Sequence, residues 1–240
     1  MGATIAIFVT CMVDQMFPEI GAAAVRLLRR TGATVVFPER QTCCGQPFSN
    51  SGFVREAIPL AKNTIEVLEP YEAVVVPGGS CTGVIRHEYL DRFEADPGWA
   101  RRAEALAAKT FELSEYLYAH LELKPKSPEP TPVTYHDSCH MLRIAGIKDP
   151  PRALLRQAGC EITEMREPER CCGFGGLFSV KMRPVSQAMT AEKLDQAAET
   201  NTGLLVTSDP GCLMQMRANL PAESSLRVEH LAVALEELSA

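Results

Sequence analysis

Short apolar runs alternate along the chain with stretches of helical period. Residues 3–10 form a β-rich run ending at Cys11, and residues 133–138 form a shorter one ending at Cys139. Apolar positions at helical spacing follow over 20–30 and 151–157, with Gly32 and Gly159 where helix C-caps are expected. Strands are predicted next over 34–37 and 161–165, and helices over about 54–68 and 184–199. Short apolar strands at 73–76 and 204–207 precede Cys81 and Cys212. A helix near 101–121 and a terminal one near 231–238 complete the pattern. Strands alternating with helices imply right-handed βαβ crossovers. The expected fold class is therefore α/β: two duplicated, mainly parallel-sheet, Rossmann-like halves related by pseudo-two-fold symmetry.

The duplication is clearest in the cysteines. Cys11, Cys43 and Cys44 recur 128 residues later as Cys139, Cys171 and Cys172, and Cys81 recurs after 131 residues as Cys212. Each half thus reads Cys, 31 residues, Cys-Cys-Gly, then a longer gap and a final Cys. Prolines at 125, 128, 130 and 132 stiffen the stretch between the halves. The expected organisation is a first domain over 1–122, a Pro-rich linker over 123–132 and a second domain over 133–240.

Composition narrows the function. The chain has 240 residues, 46% of them hydrophobic, which is enough for a packed core without cystines. A net charge of -6 argues against nucleic acid, whose phosphates call for a basic face. The N-terminus, Met1-Gly2-Ala3-Thr4-Ile5, has no basic segment before its apolar run, and no stretch approaches the roughly 18 apolar residues of a membrane span. A cytoplasmic protein with reduced thiols is expected. The nine cysteines then point to metal or redox chemistry.

Each cysteine group follows a predicted strand, and strand C-termini in α/β sheets are where ligands collect. Cys11, Cys43, Cys44 and Cys81 in one half, and Cys139, Cys171, Cys172 and Cys212 in the other, are the candidate metal ligands. Four thiolates around one point suit zinc or an iron–sulfur cluster. No Cys-x-x-Cys occurs, and single ligands spread around a vicinal pair favour the larger inorganic core. Gly45, Gly79, Gly173 and Gly211 stand beside the ligands, where glycine lets backbone amides approach a cluster. Arg86 and Arg217, each five residues past the last cysteine of its half, are candidates to offset cluster charge or dock an anion. His136 and His140 flank Cys139 and could relay protons or replace a thiolate. Cys160 aligns with Ala33 and is expected in the core.

At these residues the chain resembles the tandem cysteine-rich (CCG) domains of the heterodisulfide reductases, a group that also includes the iron–sulfur subunit of glycolate oxidase. Thr42-Cys43-Cys44-Gly45-Gln46-Pro47 and Glu169-Arg170-Cys171-Cys172-Gly173-Phe174-Gly175-Gly176 most resemble the lactate-utilization members of that group. The resemblance implies an iron–sulfur redox subunit that acts with a ferredoxin-like iron–sulfur protein and a third lactate-utilization subunit. The implied reaction oxidises L-lactate or a related 2-hydroxy acid to the keto acid. In one respect the chain departs from the pattern: the heterodisulfide reductase motif ends in Cys-x-x-Cys, whereas here Gly78 stands three residues before Cys81 and Asp209 three before Cys212. Ligation by five thiolates is thus closed to either half. The expectation becomes four-cysteine [4Fe-4S] clusters, up to one per half, with Asp209 a candidate oxygen ligand. Two other classes stay open on the residues alone, a zinc-stabilised scaffold subunit and a thiol-disulfide oxidoreductase working through a vicinal cysteine pair.

Overall fold

A computed structural model describes residues 3–240, so Met1 and Gly2 at the start of the expected first domain lie outside the described residues. Eight strands form two four-stranded sheets: β1 (Thr4–Ile7), β2 (Thr34–Val36), β3 (Ala73–Val76) and β4 (Thr110–Glu112) in one, and β5 (Thr131–His136), β6 (Cys160–Ile162), β7 (Leu204–Thr207) and β8 (Arg227–His230) in the other. The spatial orders are β2-β1-β3-β4 and β6-β5-β7-β8, and every pair is parallel. The expected duplicated α/β architecture is what the chain adopts. Parallel neighbours need crossovers, and the helices Pro18–Arg30, Val54–Leu68, Asp149–Gln157 and Arg183–Glu199 supply them, the first three of them amphipathic. No helix among the described residues is long and apolar enough to cross a membrane.

The fourth strand of each sheet differs from the sequence expectation. The helix expected over 101–121 is broken into Pro97–Ala108 and Leu113–His120 by β4 between them. Strand β8, likewise short, has no counterpart in the apolar pattern. Both strands end in a buried polar residue that caps the next helix. Glu112 accepts the amide of Ser114 at 2.6 Å, and His230 Nδ1 accepts that of Ala232 at 3.1 Å. Burial pushes the Glu112 carboxyl up to about 8 and the His230 imidazole down to about 4. The Pro-rich stretch is also partly structural: Thr131 and Pro132 already pair with Cys160 and Glu161, and Pro125 bridges to Ser239.

The halves pack with swapped partners. The helix Pro18–Arg30 lies against Leu231–Leu238 of the second half, and Asp149–Gln157 lies against Leu113–His120 of the first. A single apolar cluster runs through both, joining Ile5, Ile7 and Leu113 to Tyr135, Leu205 and Leu235. Arg26 pairs with Glu236, and Arg30 reaches Ser239 Oγ at 3.0 Å. Nearest the cysteines the backbones come closer still. A Cβ at Gly79 would stand 2.4 Å from Met141 Cβ, so only glycine permits the helices Gly79–Gly83 and Cys139–Arg143 to meet.

Candidate metal centres at a shared cleft

Each set of four cysteines gathers at the C-terminal edge of its sheet, because each comes from a segment that leaves a strand and enters a helix. Cys11 and Cys139 open the helices Cys11–Met16 and Cys139–Arg143 after β1 and β5. Cys81 and Cys212 lie in the first turn of the helices Gly79–Gly83 and Pro210–Ala218 after β3 and β7. The vicinal pairs sit in the loops after β2 and β6. Each loop turns at a glycine with positive φ, 89° at Gly45 and 88° at Gly173, a region that L side chains rarely adopt. That turn aims the glycine amide at the sulfur two residues back, at 3.4 Å from Cys43 Sγ and 3.4 Å from Cys171 Sγ.

Side chains that sequence reading did not single out hold the pairs in place. Tyr89 Oη donates to the Cys44 carbonyl at 2.8 Å, and Thr190 Oγ1 donates to that of Cys172 at 2.8 Å. Gln215 Nε2 in turn donates to Thr190 Oγ1 at 2.8 Å and to Ser186 Oγ at 3.0 Å. Nothing in the local sequence marks these residues, since the partners are separated by 18 to 45 positions.

The eight cysteines line one cavity of about 140 Å³ between the halves. Cys160 is absent from it and packs in the apolar core of the second half. All nine cysteines are free thiols. In the first half the sulfurs form two pairs, Cys11 to Cys43 at 3.6 Å and Cys44 to Cys81 at 3.3 Å. Hydrogen bonds from the Cys11 and Cys44 thiols, helped by the Gly45 amide, hold Cys43 down at about 3. Cys11 and Cys44 move up in consequence, through their bonds to neighbouring sulfur and their burial. Cys171 is lowered in the same way by Cys139 and Cys172, while Cys139 and Cys172 rise. One thiol per half is thus poised as a thiolate, the form that binds metal.

The remaining candidates divide between the cleft and its supports. His140 lines the cleft, with Nδ1 3.8 Å from Cys139 Sγ. His136 is fully buried, and burial drives its imidazole down to about 3. Asp209 also faces the cleft, but its oxygens are committed: Oδ1 accepts the amides of Gly211 and Cys212 at 3.0 and 3.3 Å, and Oδ2 accepts that of Ser80, across the interface, at 2.9 Å. The carboxylate therefore locks the two halves together. The amides of Gly79 and Gly211 are likewise taken by the Ser208 carbonyl and Asp209 Oδ1, unlike those of Gly45 and Gly173.

Neither candidate arginine lines the cleft. Arg86 forks onto Glu115 at 2.9 and 3.1 Å, and Glu115 caps the amide of Glu112 at the end of β4. Arg217 binds the Val228 carbonyl at 2.8 Å and Glu229 at 2.6 Å, both in β8. Their repeated spacing has a common structural cause, because each clamps the fourth strand of its own half.

The donor set suits a thiophilic metal or cluster. Four sulfurs ~2.3 Å from one zinc would all stand roughly 3.8 Å from one another. In the first half, among the described residues, no three donor atoms come within 4.8 Å of one another. The first-half sulfurs instead run in a chain from Cys11 through Cys43 and Cys44 to Cys81, opening onto the cavity.

A family model described as "Cysteine-rich domain" matches residues 5–86 and 133–217, which span both cysteine sets. Several curated relatives carry the name "Lactate utilization protein A". One from Halalkalibacterium halodurans is 42% identical over 234 residues, covering 96% of each chain. One from Geobacillus kaustophilus is 41% identical, covering 96% of this chain and 98% of that one. One from Bacillus pumilus is 42% identical, covering 95% and 97%. Among solved structures, a hypothetical protein from Helicobacter pylori superposes with a TM-score of 0.60 at 11% identity, over 97% of this chain and about half (48%) of that one. That likeness concerns the fold alone.

Proposed function

The chain belongs to the cysteine-rich (CCG) domain family, and from that premise we propose that it is an iron–sulfur redox subunit of a lactate-utilization system. The observation that carries this reading is the opening of both cysteine sets onto one cleft. Cys11, Cys43, Cys44 and Cys81 would hold one cluster, and Cys139, Cys171, Cys172 and Cys212 the other, with [4Fe-4S] as the expected type. Such clusters supply one-electron redox steps, and a pair of them matches the two electrons released when a 2-hydroxy acid becomes a keto acid.

The chain's own residues do the rest. The Gly45 and Gly173 amides point at ligand sulfur and so stabilise negative charge there. Tyr89 and Thr190 fix the vicinal pairs, and the Ser80–Asp209 bond keeps the two edges in register. His140, half-buried at the cleft, is placed to hold a carboxylate or take a proton. Nine unpaired thiols suit a reducing cytoplasm. The partners proposed from the family resemblance are a ferredoxin-like iron–sulfur protein and a third lactate-utilization subunit.

Zinc is the second reading, favoured by one observation: a nitrogen of His136 and the Sγ atoms of Cys172 and Cys212 all lie within 4.8 Å of one another. Metal analysis of the chain purified without oxygen separates the two. The redox reading predicts iron and acid-labile sulfide in near-equal amounts, on the order of four of each per cysteine set. Stoichiometric zinc without sulfide would replace it with a zinc-stabilised scaffold.

A further inference from the structure

The two halves match in every cysteine but not in what stands behind them. His136 ends β5, directly before the segment that carries Cys139. The residue 128 positions earlier, before Cys11, is Phe8. Both are fully buried. Phe8, just past the end of β1, belongs to an apolar cluster with Ala6, Val74 and Val76. His136 differs in kind: both ring nitrogens are buried without a well-formed hydrogen bond, and the Pro168 carbonyl that approaches the ring already accepts the amide of Asp137. Burying an unsatisfied polar group is costly, and such groups are rare unless a ligand satisfies them.

The ring's surroundings say what that ligand is. One His136 nitrogen lies with Cys172 Sγ and Cys212 Sγ in a set whose members are all within 4.8 Å of one another. It is the one group of three such donor atoms found among the described residues. Imidazole nitrogen and thiolate sulfur are the donor types that zinc and iron share. Asp209, by contrast, has its oxygens occupied by three backbone amides.

We propose that His136 is a nitrogen ligand of the second-half centre, so that the two halves hold chemically unequal sites, all-thiolate in the first and mixed nitrogen–sulfur in the second. This rests on the reading that the cysteine sets hold metal, and it does not depend on which metal. His136 would take the place of one of the four second-half cysteines; in an iron–sulfur centre a neutral imidazole replacing an anionic thiolate leaves less negative charge, and histidine ligation raises the potential. With iron–sulfur clusters in both halves, the second-half residues would then favour the reduced state more than the first-half ones.

The test uses the full chain with ¹⁵N-labelled histidine and with Cys81→Ala, so that the second-half centre alone gives the signal. Metal and sulfide are measured first. If iron and sulfide are present, pulsed EPR of the reduced centre should show a strong ¹⁵N coupling. That coupling should vanish in His136→Phe, which restores the residue of the equivalent position, and persist in His140→Ala. The potential of the His136→Phe centre should shift downward. If zinc is present instead, X-ray absorption should show a nitrogen scatterer at about 2.0–2.1 Å that His136→Phe removes. An unlabelled-like spectrum or a sulfur-only shell in the parent protein overturns the proposal, whether or not the variants fold. A second half that binds no metal overturns both this proposal and the reading beneath it.

Discussion

Replacing Cys81 by alanine is expected to remove about half of the bound iron and sulfide and one of two EPR signals, leaving the other centre in place. Replacing Cys212 should do the reverse. The expectation follows from the way the ligands are divided. Cys81 pairs with Cys44 at 3.3 Å in the first half, and Cys212 lies beside Cys172 and His136 in the second. No cysteine of one set comes from the other half's sheet edge. Each substitution removes only one small side chain, so the cost to packing is modest. The shared cleft makes the outcome informative, since the centres are neighbours in space but separate in ligation. Iron content and spin integration before and after each substitution measure it. Loss of both signals from either variant would mean one centre built jointly by the halves.

The largest effect on stability is expected at Arg152. Its side chain is 7% exposed and forks onto Asp137, 2% exposed, with bonds of 2.7 and 2.8 Å. Glu164 at 2.6 Å and the Lys148 carbonyl at 3.1 Å take further guanidinium protons, and the group lies 4.9 Å from the centre of the Tyr135 ring. Asp137 stands between His136 and Ser138, so this network anchors the strand end from which the second centre is built. Arg152→Ala would leave a buried carboxylate without its counter-charge, a change that costs about 3–5 kcal/mol. For a chain of this size that corresponds to a fall in Tm on the order of 10 °C. Adding Asp137→Asn removes the stranded charge and should restore part of the loss. Equilibrium denaturation of the single and double variants decides it; equal stability of the double and the single would place the loss in packing.

How far the sequence reveals the site depends on the range of each interaction. The duplication, the sheet class and the two cysteine sets are legible because they are local patterns repeated at one spacing. The junction of the sets is not: it depends on Gly79 meeting Met141 and on Ser80 donating to Asp209, contacts between positions far apart in the chain. Strands β4 and β8 escape notice because they are three and four residues long and end in buried polar caps, Glu112 and His230, where an apolar residue would have signalled a strand. Arg86 and Arg217 show the converse. Their repeated spacing is visible, but only the fold reveals that Glu115, Val228 and Glu229 receive them. His136 is visible as a residue beside a ligand, and its burial beside Cys172 and Cys212 is what distinguishes it from His140.

The central claim is that two iron–sulfur centres face one cleft, and the magnetic interaction between them tests it most directly. In the fully reduced protein, prepared without oxygen, EPR should show a broadened or split spectrum and fast relaxation, collapsing to a simple uncoupled signal in Cys81→Ala. Two sharp signals that ignore each other, with the survivor's line shape and relaxation unchanged when its neighbour is removed, would contradict it.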